Sequence, residues 1–92
     1  MEEIIREKIL KHYKQEIPYS VQVQVEEFID EKFIIKIRAI IFVMRESQRG
    51  IIIGHKGMGL KRIGEESRRD IEKMVDKKVF LETPRNIYTS IK

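Results

Sequence analysis

The sequence has no cysteine, no tryptophan and only two prolines, and nowhere does it string together a long apolar run. Without cysteine there are no disulfides, thiolate metal sites or thiol nucleophiles, which fits a reducing compartment. No stretch reaches the roughly 18 apolar residues that a bilayer-spanning helix requires, and the N-terminus lacks the apolar segment of a secretory signal. A cytoplasmic protein without a membrane span is expected. Catalytic material is equally scarce. His12 and His55 have no carboxylate at metal-ligand spacing along the chain, and no serine nucleophile motif is present. The expectation is therefore no enzyme, no metal and no cofactor.

What is present suits one small domain. Ninety-two residues, 41% of them hydrophobic, can bury a single modest core and hardly two. Nineteen basic residues against 15 acidic ones give a formal charge of +4. That modest bias suits a protein gripping a few phosphates better than one coating a duplex, and implies a shallow salt dependence. Most of these charges also fit an ordinary solvated surface.

Along the chain, Glu2 to Gln15 reads as a helix, with acidic residues in its first turn and Ile5, Ile9 and Tyr13 repeating every four residues. Pro18 closes it, because the residue before a proline is pushed away from helical angles. Tyr19 opens a strand. From Ser20, Val21, Val23 and Val25 alternate with Gln22, Gln24 and Glu26, the pattern of a half-buried strand. Asp30, Glu31 and Lys32 form the turn, and a long second strand runs from Phe33 to about Arg45 with Phe33, Ile35, Ile37, Ala39, Ile41 and Val43 on its core side. Its other side changes from Lys36 and Arg38 to Ile40, Phe42 and Met44, which calls for a bulge or a second covered surface. Ser47 is placed as the N-cap of a short helix from Gln48 to Ile53.

The long helix from about Met58 to Asp76 puts Leu60, Ile63, Ser67, Ile71, Met74 and Val75 on one stripe. Its Glu65–Arg69 and Arg68–Glu72 pairs read as a solvated face. Lys77 and Lys78 complement the end of that helix, and Val79, Phe80 and Leu81 open a third strand. Pro84 limits further pairing, leaving open whether residues from Ile87 to Ile91 rejoin the sheet.

Between the last two helices lies the most informative stretch, IIIGHKGMGLKRI at Ile51 to Ile63. Gly54 and Gly57 bracket a four-residue turn in which bare main chain can approach a ligand. Amides opening the following helix favour anions. Lys56 and His55 at the tip, with Lys61 and Arg62 one turn later, add cationic charge; His55 is read as an exposed loop residue. Other glycine motifs fail. Gly54 and Gly59 have the spacing of a P-loop, yet Leu60 stands where lysine is needed. A dinucleotide fingerprint would need its third glycine two residues before Gly64.

The G-x-x-G setting, I-I-G-H-K-G-M-G-L-K-R-I, resembles KH domains, in which such a loop clamps single-stranded nucleotides. The order helix, strand, strand, short helix, G-x-x-G, long helix, strand is similar to the type II KH fold: α+β, three helices on one face of a three-stranded mixed sheet. REKIL at Arg6 to Leu10, EIPYSV at Glu16 to Val21 and RESQRGIIIGHKGMGLKRIG at Arg45 to Gly64 look most like the C-terminal KH domain of Era-family GTPases.

That resemblance implies binding to the single-stranded 3′ end of small-subunit ribosomal RNA during ribosome assembly. Implied partners are the small ribosomal subunit and a GTPase domain of the same parent protein, whose motifs this chain lacks. It carries Gly54, His55, Lys56 and Gly57 over as the clamp, with Ile53, Met58 and Leu60 lining an apolar groove. Arg49, Lys61 and Arg62 flank the RNA backbone, and bases meet main-chain groups of the second strand. The aromatic residues show no paired stacking motif, so stacking on rings is not the expected mechanism. The family's basic, tryptophan-containing tail is replaced here by ETPRNIYTSIK. An alternative is a protein-interaction scaffold of the same shape using Ile40, Phe42 and Met44.

Overall fold

The alternation along residues 21 to 43 resolves into two antiparallel strands, β1 (Gln22–Asp30) and β2 (Ile34–Val43). A computed structural model describes residues 1–13, 21–82 and 87–89. The expected helix stop at Pro18, the strand start at Tyr19 and the break at Pro84 lie outside the described residues. In β2 the core side is buried from Ile35 to Val43, because a period of two sends every second side chain inward, but Phe33, expected to begin that side, precedes the strand and is 76% exposed. The ladder's register shift lies in the first strand and not the second: it falls between Val25 and Glu27, leaving Glu26 unmatched. At this shift the Val25 amide donates to Glu2 Oε2 at 2.8 Å, so the first helix closes the sheet edge where the ladder slips.

Three helices cover one face: α1 (Glu2–Tyr13), α2 (Glu46–Ile53) and α3 (Met58–Val75). Their inward residues Ile5, Ile9, Ile52 and Ile63 meet Val21, Ala39, Ile41, Val43 and Ile87 of the sheet side, while Ile71 joins Ile35, Ile37 and Val79. Each such isoleucine, fully withdrawn from water, contributes about 1.5–3 kcal/mol before chain entropy is counted. Helix α2 begins at Glu46, two residues earlier than expected, and its N-cap is Arg45 rather than Ser47. The cause is Gln48, whose Oε1 accepts from the amides of Met44 and Arg45 at 3.0 and 3.1 Å.

Helix α3 stops at Asp76, a left-handed residue whose amide donates to the Glu72 carbonyl at 2.8 Å. Lys77, expected to serve the helix end, reaches Asp30 across the domain at 2.6 Å instead, and Lys78 already belongs to a strand.

The two remaining strands, β3 (Lys78–Glu82) and β4 (Ile87–Thr89), both run parallel to β2 along the edge opposite β1. Residues Ile87–Thr89 therefore rejoin the sheet, adding a short fourth strand to the three expected. On the face without helices, β4 brings Tyr88 beside Phe42, ring centroids 6.0 Å apart. Ile40 and Phe42 are half-buried, so the chain itself covers part of that apolar surface, while Met44 is exposed.

Candidate nucleic-acid interface

Helix α2 ends because Gly54 turns to φ 74°, ψ −178°, a region reserved for glycine. A Cβ there would also sit 2.9 Å from the Gly59 nitrogen. Residues His55–Gly57 make a single 3₁₀ turn in which Lys56 (φ 53°) and Gly57 (φ 77°) are left-handed, and α3 starts at Met58. The side chains of His55 and Lys56 are exposed at the corner.

Not every amide there is free to meet a ligand. Gly54 donates to the Gly50 carbonyl at 2.9 Å, Gly57 to the Gly54 carbonyl at 3.2 Å, and Met58 to the His55 carbonyl. Among the described residues, the amides of His55 and Lys56 have no main-chain acceptor outside the helices. Two donors free of such acceptors thus sit on the exposed residues of the corner, one of which carries the Lys56 ammonium.

Around the corner, Ile53 and Leu60 are half-buried against the core, whereas Met58 stays 63% exposed. Lys61 and Arg62 are exposed, and Arg62 lies over the Tyr13 ring, 6.0 Å from its centroid. Arg49 is placed differently from its neighbours. Its Nε donates to the Ile87 carbonyl at 3.1 Å and its Nη1 to Glu46 Oε2 at 3.4 Å, which ties α2 to β4.

The expected main-chain recognition by the second strand has little room among the described residues, since β2 pairs with β1 on one edge and, over Ile34–Arg38 and Ile41–Val43, with β3 and β4 on the other. Among the described residues, the unpaired sheet edge beside α3 belongs to β3. There the Val79 amide donates outward to Glu72 Oε2 at 2.9 Å. Main-chain groups alternate sides along a strand, so the N–H and C=O of Leu81, two residues on, face the same open side. Glu72 occupies one end of this edge and Arg49, at the Ile87 carbonyl, the other. Between them Lys61, Gly64, Glu65 and Arg68 of α3, together with Leu81, line a shallow groove of about 210 Å³. A strand of nucleotides anchored at the corner would find in it a main-chain donor and acceptor for a base edge.

Residue type could not single out Leu81, since an outward main-chain pair depends on the neighbouring strand. Gly59 left a trace as a third glycine, but its role is packing: a Cβ there would lie 2.7 Å from the Ile52 carbonyl oxygen and against the Tyr13 hydroxyl. His12 and Glu66, 54 residues apart, meet at 2.9 Å. The Glu66 carboxyl is held below its ordinary value mainly by that hydrogen bond. Among the described residues no three carboxylates or histidines gather to hold a metal, and no helix is long and apolar enough to cross a membrane.

A family model described as KH domain matches residues 16–87. GTPase Era of Coxiella burnetii (strain Dugway 5J108-111) is 52% identical over 80 residues, covering 87% of this chain and 27% of the relative. GTPase Era of Pseudomonas putida (strain F1) is 42% identical over 90 residues, covering 98% and 29%. Among solved structures, a variant of Aquifex aeolicus Era bound to GDP·AlF4− superposes with a TM-score of 0.87 at 33% identity, covering 96% of this chain and 30% of that one. Era in complex with MgGDPNP and nucleotides 1506–1542 of 16S ribosomal RNA gives 0.82 at 32% identity, covering 95% and 28%. The chain spans less than a third of the length of these relatives.

Proposed function

Because this chain belongs to the KH domain family, homologous to the C-terminal KH domain of bacterial Era GTPases, we propose that it binds single-stranded RNA at the α2–α3 corner. The observation that carries this reading is the coincidence, between two positive-φ glycines, of the exposed His55 and Lys56 side chains, the latter cationic, with amides that have no main-chain acceptor outside the helices. Phosphates would dock there through charge-assisted hydrogen bonds, giving affinity. Bases would lie along Ile53, Met58 and Leu60 toward the groove and meet the N–H and C=O of Leu81, giving preference. Arg49, committed to β4, would shape the groove's end, and Lys61 and Arg62 would follow the backbone.

The natural ligand on this reading is the 3′ end of small-subunit ribosomal RNA. The setting is assembly of the small ribosomal subunit in the cytoplasm, within a parent protein whose separate GTPase domain binds and hydrolyses GTP. This domain would contribute RNA binding alone.

The test is titration of a labelled pyrimidine-rich single strand, with a matched duplex as control, against the wild-type domain and a variant carrying His55→Asp and Lys56→Asp. Preference for the single strand, lost in the variant while its melting curve is retained, is the expected result. Equal binding by both proteins would remove the corner from the interface.

A further inference from the structure

Arg62 is an exposed cation with no ion pair among the described residues, although two carboxylates stand near it on the same helix. Both are engaged elsewhere: Glu66 with His12 at 2.9 Å and Glu65 with Arg69 at 3.9 Å. What Arg62 has instead is the face of Tyr13, 6.0 Å from its guanidinium carbon. A ring at this range attracts a guanidinium without neutralising it, and leaves its N–H groups free for a phosphate.

Tyr13 is itself fixed. It packs against the core cluster that includes Ile52 and Ile63, and its hydroxyl fills the space that a Cβ at position 59 would take. The last turn of α1 thereby meets the last turn of α2 and the first turn of α3 at one glycine.

We propose that Tyr13 is a positioning residue of the RNA site. By seating against Gly59 and under Arg62, it holds a third cation, after Lys56 and Lys61, where the phosphate chain leaves the corner. The proposal rests on the RNA reading and adds to it a residue outside the G-x-x-G helix pair, contributed by α1. Tyr13 does not touch the ligand; its effect passes through Arg62.

The experiment is a double-mutant cycle on the full chain, using the labelled single strand over a range of salt concentrations, with melting curves for every variant. Tyr13→Leu and Arg62→Gln should each weaken binding about two- to fivefold, the range for an exposed cation–ring contact. Each should also lower the slope of log affinity against log salt by about 0.7, one phosphate on a single strand. The double variant should bind no worse than Arg62→Gln alone, and Tyr13→Phe, which keeps the ring, should match wild type. If Tyr13→Leu unfolds, Tyr13→Met supplies the ringless side chain.

A ringless variant with the wild-type salt slope, or losses that multiply in the double variant, would overturn the proposal while leaving RNA binding in place. A wild-type domain that binds no single strand would instead sink the RNA reading, and this inference with it.

Discussion

The carboxylate of Glu72 accepts the main-chain amide of Val79 at 2.9 Å, so a residue of α3 occupies the first outward donor on the edge of β3. Arg68 donates to the same oxygen at 3.1 Å and holds the carboxylate in place. An exposed strand edge otherwise offers its amides to water or to another chain. Replacing Glu72 with alanine should free the Val79 amide, and its hydrogen exchange should quicken relative to Ile37 in the neighbouring strand. Unchanged protection at Val79 would mean that the edge is closed by something other than this side chain.

The glycines near the corner predict different outcomes for the same substitution. Gly54 combines a glycine-only conformation with a Cβ position 2.9 Å from a backbone nitrogen, so Gly54→Ala should cost about 1–3 kcal/mol and displace the turn. Gly57 is left-handed but faces open space, so Gly57→Ala should cost only about 1–2 kcal/mol and leave the course of the helices intact. Urea denaturation that ranked the two in the reverse order would contradict the packing described at Gly59.

Gly50 is the contrasting case. It lies inside α2 with no positive φ, and nothing stands within 4 Å of its Cβ position. Glycine there raises only the entropy lost on folding, so Gly50→Ala should stabilise the domain by about 0.5–1 kcal/mol in the same assay.

Why some of this was legible in the chain follows from the range of the interactions. The stripe Ile63, Ser67 and Ile71 on α3, and the alternation in β2, are local periodicities that burial turned directly into packing. The positive-φ corner was readable because only glycine fits it comfortably.

Ser47 looked like a cap because its residue type favours caps. Gln48 displaced it by reaching back to two amides at once, which residue preferences do not reveal. The apolar far side of β2 called for a bulge or a second covered surface; Tyr88 of β4 supplies part of that cover at Phe42, while the register slip, a property of two strands, lies in β1 at Glu26. Glu2 with Val25, His12 with Glu66 and Lys77 with Asp30 are side-chain partnerships over 23, 54 and 47 residues, visible only after the helices dock.

The α1–α3 seam makes the last prediction, on pH. Glu66 is lowered from its ordinary 4.5 mainly by hydrogen bonding to His12, and Asp70 from 3.8 mainly by hydrogen bonding to Lys8, whose amine lies 2.5 Å away. A carboxyl with a depressed folded value binds protons more readily in the unfolded chain. Its contribution is complete above the ordinary value and disappears as pH falls through the folded one. Lys8 is shifted upward by the same Asp70 contact, so its contribution is complete below 10.5 and fades only as pH rises through the raised value.

The seam should therefore hold across the neutral range and weaken in acid below about pH 4.5, the ordinary Glu66 value. Each contribution is small because these groups lie near water. Urea midpoints followed from about pH 7 down to about pH 2 should fall for the wild type, and fall less for a variant with Glu66→Gln and Asp70→Asn, which has no charge left to lose at either position. A variant whose midpoint dropped as steeply as wild type would assign acid sensitivity to carboxylates elsewhere, Glu72 beside Val79 being the next to examine.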